Sequence, residues 1–149
     1  MKNLILIYLL MFLSSCGYNP LYLNKDFKKF TFSEIELIGN KKINRKIISS
    51  LSLKKDEQTN IDNKISIDSN KEIIETSKNS EGQVTSYRMI IKVVIKIEED
   101  DNTFKTKGFT KDFSYNNKDN KFDLAEYQNQ VETNLINKII EELIIYINL

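Results

Sequence analysis

The sequence predicts an α+β fold, a two-layer sandwich in which two helices cover one face of a four-stranded mixed sheet, in the order β-α-β-β-β-α. Three observations predict it. Alternating apolar residues indicate several strands, apolar residues at helical spacing indicate two helices, and each of these elements has a single apolar face. Such elements bury their apolar faces most economically against one another in two layers.

The composition excludes several classes of chemistry. The chain has 149 residues with 22 basic and 21 acidic side chains, and a net charge of +1 gives no general electrostatic reason to bind nucleic acid. It has no His and one Cys, which excludes His-dependent nucleophilic catalysis, Cys/His zinc sites and an internal disulfide. The carboxylate pairs, Asp100 with Asp101 and Glu141 with Glu142, fall in a turn and on a helix flank, so no acid faces a base. We therefore expect neither enzymatic activity nor a metal site.

The first fifteen residues have the features of an export signal. Residues 4–13 are an unbroken apolar run behind a short positive start that contains Lys2. As a helix the run would be about 15 Å long, at ~1.5 Å per residue. A bilayer core is ~30 Å thick and needs about 20 residues, so the run is too short to span it comfortably but suits a secretory signal.

The residues after this run resemble a bacterial lipobox. Leu13, Ser14 and Ser15 precede Cys16, the only thiol of the chain, and Gly17 follows it. The two serines are small enough to enter a peptidase cleft, and a thiolate is the nucleophile that thioether formation needs. The resemblance implies removal of residues 1–15 and a diacylglycerol and an N-acyl chain on Cys16, which together anchor the protein firmly. Gly17, rather than Asp, implies sorting to the outer membrane. An uncleaved anchor with an incidental Cys is the alternative.

The mature chain divides into a tether over residues 16–29 and a single domain over residues 30–149. The tether contains the only Pro, Pro20, and several aromatic residues. It is either an extended linker near the headgroups or a segment that lies against the domain or a partner.

The first half of the domain predicts a strand, a helix and a second strand. Residues 30–38 alternate as a strand does, and Asn40 can cap the helix that follows the break at Gly39. Apolar residues then recur at helical spacing to about Lys54. The polar stretch 55–82 contains a short strand around Ile65 and ends in a turn.

The second half predicts a hairpin that carries the candidate binding residues. Residues 83–98 form the clearest strand, with an apolar face and a mixed, basic face that bears Arg88, Lys92 and Lys96. Residues 103–115 form its partner strand. A bulge near Gly108 would place all its aromatic side chains on one face. The lysines of this partner strand would then share the basic face: Lys105, Lys107 and Lys111.

A long helix closes the domain. Asp123 and Glu126 fit an Asp-capped capping box, and an apolar stripe continues to about Ile147. The end of this helix is too short to cross a bilayer and carries two glutamates, so we expect it to pack against the sheet.

The mature start resembles a known family. The sequence Cys-Gly-Tyr-Asn-Pro-Leu-Tyr over residues 16–22 is similar to the Cys-Gly-aromatic-x-Pro-Leu-Tyr opening of the lipopolysaccharide-assembly lipoproteins (the LptE family) of alphaproteobacteria. The length and the order of elements are also similar, as are residues 113–116 followed by Leu124 and Ala125. Leu23 stands where the family usually has Gly.

The resemblance implies an outer-membrane lipoprotein that helps an LptD-type β-barrel to fold, plugs its lumen and takes part in lipopolysaccharide transport. A polar lumen and anionic lipopolysaccharide both suit Lys and Arg side chains. We therefore take six residues as candidate contacts to lipopolysaccharide or the barrel: Arg88, Lys92, Lys96, Lys105, Lys107 and Lys111. Each is otherwise a solvated strand residue. An auxiliary subunit of another envelope lipid transporter, or a free amphiphile-binding lipoprotein, is the alternative function.

Overall fold

The computed structural model describes residues 31–56, 63–99 and 103–147, and within them it confirms the predicted α+β class. The elements are β1 Thr31–Phe32, β2 Glu34–Gly39, α1 Lys41–Leu51, β3 Lys54–Lys55, β4 Lys64–Lys78, β5 Val84–Glu99, β6 Thr103–Asn116 and α2 Lys121–Ile147. The signal segment 1–15 and the tether 16–29 lie outside the described residues.

The main sheet has four strands in the order β2-β4-β5-β6. Strand β2 runs parallel to β4, with α1 as the connection between them, and the other two pairs are antiparallel. Helix α1 packs on β2 and β4, helix α2 packs on β5 and β6, and the helices contact each other. Both helices therefore cover the same face of the sheet.

The first predicted strand is divided at Ser33. Its backbone N–H and its hydroxyl both donate to the carbonyl of Asn63, over 2.8 and 2.9 Å. The residues before it, β1, pair with β3 instead of with the main sheet, and Phe32 is buried there. The prediction of one continuous strand over 30–38 was therefore too simple.

The corner between β2 and α1 depends on two residues. Gly39 has φ +82°, and a Cβ atom there would lie 2.0 Å from the carbonyl oxygen of Ser69, so only glycine fits. Asn40 caps α1, because its side-chain oxygen accepts from the backbone N–H groups of Lys42 and Ile43. The helix ends at Leu51, three residues earlier than predicted, because Ser52 adopts a left-handed conformation.

The polar stretch before the hairpin forms one long strand. Strand β4 covers fifteen residues and pairs with β5 along most of its length, with irregular register near Glu75 and Ser77. Pairing with the strongly apolar β5 stabilises β4, although the sequence predicts only short pieces there. The side-chain oxygen of Asn79 accepts from the backbone of Glu81 and Gln83 and forms the turn.

The core lies between the helices and the sheet. The sheet contributes alternate residues of β4 and β5, and the helices contribute the predicted apolar stripes. Its fully buried apolar side chains include Ile43, Ile47, Ile65, Ile67, Met89, Ile91, Ile95, Ile136, Ile139 and Leu143.

Helix α2 begins earlier than predicted. The side-chain oxygen of Asn120 accepts from the backbone N–H of Phe122 over 2.8 Å, and the Asn120 carbonyl accepts from the N–H of Leu124. Asn120 therefore caps the helix, and the predicted cap, Asp123, lies inside the first turn. Its charge still faces the positive end of the helix dipole.

Candidate partner-binding face

The described helices leave one face of the main sheet uncovered, and we call it the open face. It bears Arg88, Lys92 and Lys96 of the central strand β5, as the alternation predicts. The strand register sets β4 and β6 on either side of each of these residues. The side chains on these neighbouring strands therefore determine whether each basic group is available to a ligand.

Arg88 is already engaged by the neighbouring strand. Its Nε lies 3.3 Å from the Oδ2 atom of Asp112 and also donates to the hydroxyl of Ser114 over 3.3 Å. Both charged side chains are about half exposed, so the ion pair contributes at most about 1 kcal/mol to stability. It nonetheless gives the guanidinium a partner on its own surface.

Lys96 lies over an aromatic ring. Its Nζ is 4.2 Å from the ring centroid of Phe104, which lies on the same face of β6. A cation over a ring face is attracted by the ring quadrupole. The pair forms a small patch, partly apolar and partly cationic, at one end of the open face.

Lys92 is the basic side chain of β5 that no described side chain engages. Its direct cross-strand neighbours are Asn70 and Thr110. Among the described residues, no hydrogen bond or ion pair involves Lys92. Of the three basic residues on β5, it is therefore the most available to an anionic group.

The open face as a whole is not basic. From the residues paired with Arg88 to the residues paired with Glu98, the described part of the open face carries six carboxylates and four basic groups. The carboxylates are Glu34, Glu36, Asp68, Glu72, Glu98 and Asp112, and the basic groups are Lys64, Arg88, Lys92 and Lys96. The pattern is therefore an alternation of signs across strands, which one strand read by itself does not reveal.

The lysines of β6 lie on the opposite face from the one predicted. Pairing between β5 and β6 is regular throughout, with Gly108 opposite Val94, so the expected bulge is absent from this described hairpin. Without it, Lys105, Lys107 and Lys111 point to the side of the sheet that carries the helices. Lys111 forms an ion pair with Glu142 of α2. The six candidates therefore form two groups on two faces, and their contacts with a ligand or partner stay a prediction.

One buried carboxylate was missed by the sequence analysis. Glu132 of α2 is 2% exposed, and its Oε2 lies 3.0 Å from the Nζ of Lys71 and 3.2 Å from the Nζ of Lys42. The signal was present, because Glu132 stands four residues before Ile136, inside the apolar stripe. These three residues come from α2, β4 and α1, and we call them the Glu132 cluster.

Two effects in the Glu132 cluster shift the pKa of Glu132 in opposite directions. Burial raises the pKa of Glu132, but hydrogen bonds and attraction from Lys71 and Lys42 outweigh it, so the net pKa is lower than the ordinary value. The carboxylate is therefore charged at neutral pH and joins three elements. Its role is structural, because both lysines already neutralise it.

A groove runs between β6 and α2. It has a volume of about 390 Å³, and Phe113, Val131 and Leu135 contribute its apolar surface. At one end lie three tyrosines: the ring of Tyr115 is 5.8 Å from those of Tyr87 and Tyr127. Burial raises the pKa of the Tyr115 phenol, which is neutral at physiological pH.

Two findings concern the described ranges only. In residues 31–56, 63–99 and 103–147 there is no helix long and apolar enough to cross a membrane. Within the same ranges, no group of three or more His, Cys, Asp or Glu side chains is placed to hold a metal ion.

Comparison with known proteins finds solved structures of the same fold. Rare lipoprotein B from Shewanella oneidensis aligns with a TM-score of 0.59 at 10% identity, over 77% of this chain and 93% of that chain. A minor lipoprotein from Acinetobacter baumannii aligns with a TM-score of 0.54 at 10% identity, over 77% and 90%. Lipoprotein B from Nitrosomonas europaea aligns with a TM-score of 0.53 at 11% identity, over 78% and 82%.

These similarities concern the fold. No family model matches the sequence, and no curated protein matches it. At 10–11% identity the chain shares an architecture with bacterial lipoproteins, and no ligand-binding residue can be transferred from them.

Proposed function

We propose that this chain is an outer-membrane lipoprotein that helps an LptD-type β-barrel to assemble, plugs its lumen and takes part in lipopolysaccharide transport. One observation carries the proposal: a chain that begins with a lipobox around Cys16 has the fold of lipoproteins from other bacteria. The two parts of that observation come from different stretches of the chain, because residues 1–30 lie outside the described residues.

The open face supports the part of the proposal that concerns a barrel wall. Its charged side chains alternate in sign, and exposed apolar side chains lie between them: Ile38, Ile74, Val94 and Phe104. The lumen of a wide β-barrel is polar, so it can offer a partner for each charge separately. A strongly apolar face would instead favour a lipid surface.

The buried core favours a plug over a free lipid carrier. The described apolar residues between sheet and helices form one buried cluster, and the groove beside α2 is open to solvent. A lipid carrier needs a deep apolar cavity for acyl chains.

The decisive test is purification of the tagged full-length protein from outer membranes in mild detergent. We expect mass spectrometry to identify an LptD-type barrel in stoichiometric amount. The Cys16→Ser variant is the control, which we expect to remain an unprocessed precursor without lipid. Recovery of subunits of a different lipid transporter would favour the alternative function, and recovery of no barrel would refute the plug.

Lipopolysaccharide binding needs a separate test with matched charge reversals. We expect Lys92→Glu with Lys96→Glu to weaken binding of purified lipopolysaccharide, because both residues lie on the open face. The control is Lys105→Glu with Lys107→Glu, which changes the charge equally on the other face. Equal loss in both double variants would indicate an unspecific charge effect, and no loss in either would show that these lysines are only solvated.

A further inference from the structure

Strand β6 presents a free edge with a defined hydrogen-bonding pattern. It is the last strand in the sheet order, and no other described strand pairs with its outer side. The backbone N–H of Asn117 donates to the carbonyl of Thr85 over 2.8 Å. In an antiparallel pair the bonded residues alternate, so the odd-numbered residues of β6 bond to β5. The even-numbered residues, among them Thr110, Asp112 and Ser114, direct their N–H and C=O groups outward.

In the half of this edge nearest to α2, neighbouring side chains neutralise the charges of the strand. Exposed edges are commonly guarded by charged side chains, above all by lysine. Here Lys111 is paired with Glu142 of α2, and Asp112 is paired with Arg88 of β5. Lys107 lies in the opposite half.

The groove continues the edge with an apolar floor. Phe113 faces the helix side of the sheet, opposite the buried Met89, yet it is 45% exposed because α2 does not cover it. The rim on α2 carries the amide side chains of Gln130, Asn134 and Asn137 and one charged side chain of each sign, Lys138 and Glu141. Amides can both donate to and accept from a peptide backbone. An extended chain laid along β6 would therefore find an apolar pocket for alternate side chains and polar groups beside its backbone.

We propose that the outer edge of β6 and the groove beside it bind an extended segment of a partner protein as a fifth strand. The segment has apolar residues at alternate positions, which enter the groove over Phe113, and an acidic residue beside Lys107. Charge complementarity selects this partner, since Lys107 repels a basic residue and attracts an acidic one. Strand addition of this kind obtains affinity from the backbone and specificity from alternate side chains.

The test uses the mature full chain in detergent and a synthetic ten-residue peptide. The peptide alternates valine with threonine and carries a glutamate at the end that meets Lys107. It is made in both chain directions. A peptide of the same sequence with all its amides N-methylated cannot pair and is the control. We expect binding to slow hydrogen exchange at the amides of Thr110, Asp112 and Ser114, with no such change for the control.

Two substitutions distinguish strand addition from nonspecific binding of the peptide. Thr110→Pro removes an outward N–H without removing a bond to β5, and edge strands tolerate proline. Phe113→Ala removes the floor of the groove. We expect each to weaken peptide binding by about ten-fold or more, equivalent to ~1.4 kcal/mol. Phe122→Ala, at a side chain that is 86% exposed on α2 and outside the groove, is the matched control and should change nothing.

Three results would overturn the proposal. The first is that the Thr110→Pro and Phe113→Ala variants, both shown to be folded by circular dichroism, bind the peptide as tightly as the unchanged protein. The second is peptide binding that leaves exchange at Thr110, Asp112 and Ser114 unchanged. The third is strong protection of these three amides in the free full chain, which would show that the chain's own residues already occupy the edge.

Discussion

Replacement of Glu132 by Gln tests whether the Glu132 cluster holds the two layers together. Loss of one partner of a buried ion pair costs about 3–5 kcal/mol when the other charge stays buried. Here Lys42 is 60% exposed and Lys71 is 29% exposed, so water can solvate both ammonium groups after the change. The amide can also keep one hydrogen bond. We therefore expect the free energy of unfolding to fall by about 1–3 kcal/mol.

The assay is urea unfolding of residues 17–149, followed by circular dichroism. Glu141→Gln, an exposed position on the same helix, is the control and should stay within about 0.5 kcal/mol of the unchanged protein. Because the folded pKa of Glu132 lies below its ordinary value, its contribution is complete above that ordinary value and is lost as the pH falls through the folded pKa. The difference between Glu132→Gln and the unchanged protein should thus stay constant above the ordinary glutamate pKa and shrink as the pH falls from there through the folded pKa. Equal stability of Glu132→Gln and Glu141→Gln at neutral pH would refute this reasoning.

Two further predictions concern the corner before α1 and use the same unfolding assay. Both Gly39 and Gly82 have positive φ, but only at Gly39 would a Cβ meet backbone, at 2.0 Å from the Ser69 oxygen. Gly82→Ala should lower the free energy of unfolding by about 1–2 kcal/mol through backbone conformation alone, and Gly39→Ala should lower it clearly more. Equal losses in the two variants would exclude the close contact as a cause. Asn40→Ala should lower the free energy of unfolding by about 0.5–2 kcal/mol, because two N–H groups of the first turn lose their acceptor. Asn40→Ser restores a side-chain acceptor and should recover most of this loss.

The order of the elements could be predicted from local pattern, because each main element carries its own apolar period. Strand β5 and the cap at Asn40 are the clearest cases, and both are confirmed. Strand β4 was predicted only in pieces, since its second half is polar and stabilised by pairing with β5. The split at Ser33 depends on a contact thirty residues away, which no local pattern contains.

The bulge near Gly108 was a wrong inference with a clear physical reason. It assumed that Phe104 must share a face with Phe109 to be buried. In the structure Phe104 stays on the open face, where Lys96 lies over its ring and shields it in part from water. An aromatic side chain on a sheet surface therefore does not determine the register. The wrong face was predicted for Lys105 and Lys107 because that prediction assumed the bulge.

The alternation of charge on the open face also narrows the kind of partner that it suits. An anionic membrane or a lipopolysaccharide layer is attracted by a continuous positive potential, and diagonal cross-strand neighbours lie only ~7–8 Å apart. Carboxylates at Asp68, Glu72 and Asp112 lie diagonally across from Lys92, so they lower the potential around it. A folded protein wall differs from a lipid layer, because it can place one partner opposite each charge and satisfy both signs. The open face is therefore better suited to a folded protein surface than to an anionic lipid layer, and any direct contact with a phosphate is expected first at Lys92.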